Sequence, residues 1–393
     1  MDPLHSSKVT KKRLNQLNIF RELYFGSPLT NKELSKITNL STPTVSKALS
    51  GLTSRKLITE KGQKDIPTGR KPKKYGLNNN SIYGLGVDLE IPDLRVAIYN
   101  LSRRMVASKW TYLDMDKLRK NPTDHLTENL SQILKEFVRD EGLDMNSILG
   151  AGIAASGVVK DGGFRPFSRF ESSRDIELKR PLEERLGCRT SLGNDLDLQL
   201  LSQLDRLGHI QDSNHVALYF GARLSGKRQP NVRIGGSIAI GGEVFRGAGG
   251  STCEFGHMSV TSEDTSEFPE TRCGNSNCLE SYINAEIKGD DGFSVPPTIT
   301  RAIEQKIKDL VFAFSPSLII VDLDAFPEIS DEIISELNNF TAKLENTIGL
   351  EGVQLRKPLN NDRSATRGAV INHFDQSLLD PDSFSLLMDN GKL

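Results

Sequence analysis

Between Gly250 and Glu280 the chain reads Gly-Ser-Thr-Cys-Glu-Phe-Gly-His-Met, then a polar stretch, then Cys-Gly-Asn-Ser-Asn-Cys-Leu-Glu. One imidazole (His257), two thiols (Cys273, Cys278) and two carboxylates (Glu254, Glu280) thus fall within about thirty residues. The fold has to gather these groups at one place. A structural zinc prefers tetrahedral nitrogen and sulfur donors, the soft set that His257, Cys273 and Cys278 supply. Cys253 or a water is open as the fourth donor; without a metal, the thiols are simply buried. Carboxylates held rigidly beside such a knot are suited to grip sugar hydroxyls, although Glu280 at a helix start also favours the helix dipole.

At 393 residues there is room for two or three domains and a sizeable core. No apolar run is long enough to span a bilayer and no signal peptide is recognisable, so the expectation is a cytoplasmic protein with no membrane partner. Four cysteines in so long a chain do not make a disulfide framework, and Cys188 reads as a core thiol. The net charge of −1 hides an asymmetry. Residues 1–80 hold 16 Lys and Arg against 5 Asp and Glu, a net of +11, and the rest hold 34 against 46, a net of −12. A basic head on an acidic body points to a polyanion at one end.

Within that head, 1–80, Lys11 to Phe25 carries Leu14, Leu17, Phe20, Leu23 and Tyr24 at helical spacing, and Gly26-Ser27-Pro28 stops it. Thr30 caps a second helix over 31–37, with Glu33 placed for a capping box. Thr42 caps a third, with Pro43 at the first position, where a missing N–H costs nothing. Val45, Leu49 and Leu52 face inward and leave Thr42, Thr44, Ser46 and Lys47 around its start. This is a helix-turn-helix, whose last helix enters the major groove N-terminus first. Strands at 57–60 and 74–77 make a wing, and its tip, with Arg70, Lys71 and Lys73, suits phosphates or a narrow minor groove. The plainer alternative is a small helical bundle with a solvated basic face.

Three strands (82–89, 94–100, 105–112), a helix (123–139) and an apolar strand (148–154) follow. Glu254-Phe255-Gly256-His257 with Cys273-Gly274 and Cys278-Leu279-Glu280 resembles the signature of the ROK family (repressors, open reading frames and sugar kinases), in which a further Cys stands where this chain has Thr271. The resemblance covers nearly the whole of 81–393. It implies an α/β fold: a winged helix-turn-helix followed by an actin-like, or RNase H-like, two-lobed ATPase fold. The lobes are expected at about 81–190 and 191–362, with a closing helix at 363–376 packing back on the first lobe and a loose tail over 377–393.

The resemblance also assigns roles. Family kinases cradle ATP phosphate with Asp-x-Gly-Gly-Thr; this chain has Asp88-Leu89-Glu90-Ile91-Pro92, which adds a charge and removes an N–H. A second phosphate loop, Gly-Thr-Gly-Ile-Gly-Gly, is interrupted between Gly221-Ala222-Arg223 and Ile234-Gly235-Gly236. Where kinases receive adenosine on Gly-Gly, the chain has Asp322-Leu323-Asp324. No ATP is therefore expected. On the sugar side, Ser156, Gly157, Asn194, Asp195, Glu254, His257 and Glu280 match family ligand-binding residues, with Asp195 as a vestigial general base and Asn194-Asp195 equally readable as a helix cap. Phe170-Glu171-Ser172-Ser173 departs from the family's Asn and aromatic residues. His257, Cys273 and Cys278 are the metal ligands that the resemblance implies.

The function implied is a sugar-responsive transcription regulator. It binds a double-stranded operator as a homodimer or dimer of dimers and represses carbohydrate-metabolism genes, with a sugar or sugar phosphate as effector. The alternatives are an active sugar kinase with a DNA-binding head and a repressor controlled by a protein partner.

Overall fold

The computed structural model describes residues 9–63, 71–166, 175–208, 215–225, 231–250, 252–260, 273–274, 277–288, 295–350, 352–359 and 365–390. The chain divides into two compact units: Met1–Gly157 with Asp161–Gly193 and Ala365–Leu393, and Val158–Lys160 with Asn194–Ser364.

In the first unit, α1 (Lys11–Phe25) buries Leu17, Phe20, Leu23 and Tyr24. β1 (Leu29–Thr30) precedes α2 (Asn31–Thr38), where the capping box forms: Thr30 Oγ1 accepts from Glu33 N at 3.3 Å and Thr30 N donates to Glu33 Oε2 at 2.9 Å. α3 (Thr42–Ser54) buries Val45, Leu49 and Leu52 as its periodicity predicts. Its cap is Ser41 rather than Thr42, because Ser41 keeps an extended backbone while its Oγ accepts from Thr44 N at 3.4 Å. β2 (Ile58–Gln63) and β3 (Lys73–Leu77) are the antiparallel wing strands, and β1 pairs with β3 on the other side.

The first-lobe sheet runs in the order β11-β7-β4-β5-β6. Its meander is β4 (Tyr83–Glu90), β5 (Asp93–Asn100) and β6 (Met105–Tyr112). α4 (Met115–Lys120) and α5 (Pro122–Asp140) lead to β7 (Ile148–Ala155), which pairs in parallel with β4. β8 (Gly157–Lys160) precedes the antiparallel pair β9 (Gly163–Pro166) and β10 (Ile176–Glu177), then α6 (Lys179–Leu186) and β11 (Arg189–Asn194).

The second unit carries α7 (Asp195–Leu207) and a sheet in the order β14-β13-β12-β15-β16. Its strands are β12 (Val216–Ser225), β13 (Asn231–Ile240), β14 (Glu243–Val244), β15 (Leu318–Leu323) and β16 (Gln354–Arg356). α8 (Leu279–Lys288), α9 (Pro297–Phe314) and α10 (Ser330–Ile348) supply the other helices. One apolar core joins Phe220 and Val321 of the sheet to Ile303 and Ile307 of α9 and Ile333 of α10.

α11 (Thr366–Phe374) lies on β4 and β7 of the first lobe. A Cβ at Gly152 would stand 1.9 Å from Ala369 O, so glycine is what lets the helix backbone reach the strand. The expected loose tail over 377–393 is a structural element instead. After a π-helical turn at Asp375–Leu379, α12 (Pro381–Asn390) buries Phe384, Leu387 and Met388 in the same core as Phe20 and Tyr24 of α1. The Phe20 and Phe384 ring centroids are 5.7 Å apart, and Arg55 donates to Asp389 O at 2.6 Å. Each such side chain contributes about 1.5–3 kcal/mol on burial, enough to fix a short helix. Head, first-lobe sheet and C-terminus thus share one core.

Candidate functional site

The described residues of the Gly250–Glu280 stretch are organised by one glycine and one strand-like bridge between Ser259 and Cys278. Phe255–His257 forms a single 3₁₀ turn on which Phe255 is buried, stacked on Phe220 with ring centroids 6.2 Å apart. A Cβ at Gly256 would meet Ile234 O of β13 at 2.4 Å, so only glycine permits this approach and the placing of His257 that follows. Val260 N then donates to Asn277 O and Leu279 N to Met258 O, each at 2.9 Å, which sets Cys278 alongside the turn.

The ligand atoms of His257, Cys273 and Cys278 all lie within 4.8 Å of one another. Among the described residues, His257 Nδ1 is buried with no hydrogen-bond partner. An orphaned imidazole nitrogen beside two thiols fits a zinc ion, with a fourth position left for another donor. Cys253 is outside that group. Burial, with Asp197 and Glu254 nearby, pushes its thiol up to about 12, and it packs against the apolar core. Thr271 lies outside the described residues, as do Phe170–Ser173 and Arg70.

Glu254 and Glu280 come together with His257. Burial raises the Glu254 carboxyl above its ordinary value; His257 opposes the shift and Glu280 adds to it. Glu280, in the first turn of α8, accepts from Ile234 N at 3.1 Å through Oε2 and so anchors the start of β13. Asn194 caps α7, its Oδ1 accepting from Leu196 N at 2.9 Å and Asp197 N at 3.3 Å, and Asp195 follows as the first helical residue, half-buried. These five residues belong to the second unit. Ser156 and Gly157 belong to the first, at the end of β7, where Ser156 N donates to Leu89 O at 3.3 Å.

The segments matched to nucleotide-binding loops are differently built. Asp88 Oδ2 accepts from Ala365 N at 3.1 Å, just ahead of α11, and β4 and β5 are joined through Ile91-Pro92 without a glycine. β12 and β13 pair continuously from Val216↔Ile240 to Ser225↔Asn231, so Gly221 and Gly235 face each other in mid-ladder. The interruption seen in sequence lengthens the hairpin instead of breaking a turn. At the adjoining end of β15, Asp322 is buried and accepts from Tyr219 Oη at 2.5 Å, with Arg223 at 3.6 Å. Gln199 Oε1 accepts from Tyr219 Oη at 2.6 Å and from Arg223. Sequence reasoning missed this network, which depends on the register of β12 with β15. It also missed Asp197, whose buried carboxyl is pushed up by desolvation and accepts from Ser237 Oγ at 2.6 Å.

In the head, Thr42, Ser46 and Lys47 are exposed on α3 and Thr44 is half-buried. Asn31 of α2 donates to Ser46 Oγ at 2.7 Å. Lys71 is exposed, and Lys73 pairs with Glu60 across the wing at 2.7 Å, a solvent-exposed pair worth under about 1 kcal/mol. Among the described residues no helix is long and apolar enough to cross a membrane.

A winged helix-turn-helix joined to a kinase-like two-lobed α/β body defines the class. Residues 85–286, more than half of the chain, match the ROK family, and the chain belongs to it. It is 24% identical over 409 residues to a putative xylose repressor of Caldicellulosiruptor sp. (strain Rt8B.4), covering 94% of this chain and 98% of that one. It is 23% identical over 273 residues to the xylose repressor of Bacillus subtilis (strain 168), covering 70% and 66%. In fold it is similar to a ROK family transcriptional regulator, a homologue of the Escherichia coli Mlc protein, with a TM-score of 0.69, 17% identity, and 96% and 99% of the two chains covered.

Proposed function

We infer that the chain is a sugar-responsive transcriptional repressor. The observation that carries the reading is the presence, in one chain, of a capped recognition helix with Thr42, Ser46 and Lys47 exposed and a body in which Glu254, His257 and Glu280 converge. Thr42, Thr44, Ser46 and Lys47 read operator bases or phosphates, and Arg70, Lys71 and Lys73 hold the flanking backbone. Two half-sites about one helical turn apart require two heads, hence a homodimer or dimer of dimers acting in the cytoplasm.

Glu254, His257 and Glu280 accept or donate to sugar hydroxyls, with Asn194 and Asp195 of the same unit completing the site. A buried carboxylate left unpaired by a misplaced hydroxyl supplies the discrimination. His257, Cys273 and Cys278 hold a structural zinc that stiffens the turn. The two relatives' names make xylose the first sugar to test. Sugar acts by preferring one lobe arrangement, and so shifts the population of heads competent for DNA.

The protein works without ATP. Support comes from Arg223 and Asp322 being committed to one another and from Gly221 and Gly235 being locked in a ladder, where no N–H cradle is offered. A kinase is the second reading, favoured by Asp195 at the start of α7.

A thermal-shift panel of pentoses, hexoses, their phosphates and Mg·ATP, followed by operator titration, tests both. At a hundredfold excess over its dissociation constant a ligand adds about 2.7 kcal/mol to stability. A sugar shift without an ATP shift, with changed operator affinity, is expected; an ATP shift with sugar turnover overturns the non-enzymatic reading.

A further inference from the structure

A second concave site lies inside the first unit, where the head meets the meander of the first lobe. It is a cavity of about 350 Å³. Its walls come from the end of α1, from β2 and β3, and from the β5–β6 turn. That volume falls within the range of small-molecule sites, roughly 300–1,000 Å³. Among the described residues, three cations line it, Lys61, Arg103 and Arg104, and no carboxylate does. The remaining lining includes Phe25, Pro28 and Leu77 with the polar Asn79 and Ser102, and Tyr24 borders it while only 2% exposed.

The cationic turn is held in place. Arg103 N donates to Asn100 O at 2.8 Å and Arg104 N to Asn100 Oδ1 at 3.1 Å. The Arg103 guanidinium carbon sits 4.7 Å from the Tyr24 ring centroid and 5.6 Å from that of Phe25. Arg103 Nη2 donates to Tyr24 O at 3.5 Å, so this guanidinium is fixed against the head, while Lys61 and Arg104 are exposed and can reach an oxyanion. Three cationic side chains around one cavity favour an anion there.

We propose that this cavity binds a small organic anion: a phosphate or carboxylate group held by Lys61 and Arg104 beside the Arg103 charge, carried on a flat apolar body that packs on the Phe25, Pro28 and Leu77 side. The site is separate from the Glu254–Glu280 cluster, which belongs to the other unit. Its walls belong to head and lobe together, so an occupant stabilises this arrangement of the head and acts as a second effector. That last coupling rests on the regulator reading above; the binding itself does not.

The test titrates the full chain calorimetrically with phenyl phosphate, benzoate and inorganic phosphate, with and without saturating xylose. Saturable binding of phenyl phosphate or benzoate, tighter than inorganic phosphate and not competed away by xylose, is expected. Lys61→Glu and Arg104→Glu change exposed residues and leave the thermal midpoint near wild type. Each weakens binding at least about tenfold, the worth of one charge-assisted hydrogen bond. No saturable binding overturns the proposal, as does equal binding by both variants or displacement by xylose. Weakened operator binding in the variants, with no phenyl phosphate or benzoate binding to wild type, assigns these cations to DNA and also overturns it. Operator titration with phenyl phosphate present reads the coupling separately, and a changed affinity supports it.

Discussion

Two polar clusters in the second unit make opposite use of burial. Around β12 and β15, Asp322, Tyr219, Arg223 and Gln199 are spent largely on one another, and Tyr219 is buried deeply enough that its hydroxyl is held protonated far above its ordinary range. Around the 3₁₀ turn, His257 Nδ1 has no hydrogen-bond partner among the described residues, and Glu254 sits near Glu280 with its carboxyl raised by burial. A closed network of buried polar groups stabilises a fold and has little left to offer a ligand. An open one is costly to maintain and is explained by what it binds. On the function proposed above, the difference separates a structural plug from a sugar site within one unit.

The sharpest way to break that contrast is Asp322→Ala. Removing one partner strands a half-buried Arg223 and the Tyr219 hydroxyl in a site built for a carboxylate. The expected loss is about 4 kcal/mol in urea unfolding, while sugar affinity of the folded fraction is unchanged. A loss of sugar binding without a loss of stability would show that the network is itself part of the site.

Chelation ranks next. If zinc joins His257, Cys273 and Cys278, its removal from a solution buffered at a hundredfold above the dissociation constant lowers stability by about 2.7 kcal/mol, and Cys278→Ser reproduces the effect without chelator. Metal analysis of the purified chain, compared with Cys278→Ser, checks the stoichiometry. An unchanged melting curve in both tests means that the three residues form a dry thiol pocket.

Gly256→Ala follows, at about 2 kcal/mol, since the added methyl must push against the Ile234 carbonyl and the backbone has to give. Here stability and sugar affinity fall together, because displacing the turn moves His257 and Glu254 with it. The same change at a glycine with open space around it, Gly249, leaves both untouched.

How much of this was visible in the chain itself depended on whether the signal was local. The Thr30–Glu33 box, the inward face of α3 and the His257–Cys278 spacing are short-range patterns, and each lies where its pattern puts it. Glu254 and Glu280 stood out in the same dense stretch as His257 and Cys278, and their assignment as ligand-binding residues drew on a family pattern. Asp322 with Arg223 was not readable at all, since their meeting depends on the parallel register of β12 and β15. α12 is the instructive miss: Asp380-Pro381 is a cap signal and Phe384, Leu387 and Met388 are spaced as one helical stripe. A terminal position, rather than any lack of pattern, disguised it.

The smallest effect tests the open cluster from within. Burial raises the folded-state pKa of Glu254 above its ordinary 4.5, opposed by His257 and helped by Glu280. A raised acid binds its proton more tightly in the folded chain, so its contribution to stability is present below 4.5 and is lost as pH rises through the raised value. Sugar hydroxyls donate to the ionised carboxylate, so sugar affinity should move the other way and improve across that same interval, by about tenfold for one charge-assisted hydrogen bond. Buried His373, held down to about 4, makes stability rise with pH over part of the same range, so the Glu254 contribution is read as wild type minus Glu254→Gln. That difference, in thermal midpoints and in sugar titrations measured from pH 4 to 8, a span of about four units around the ordinary carboxylate range, should slope in opposite directions. Slopes of the same sign would place Glu254 outside the sugar contacts and leave its raised carboxyl as a cost of burial alone.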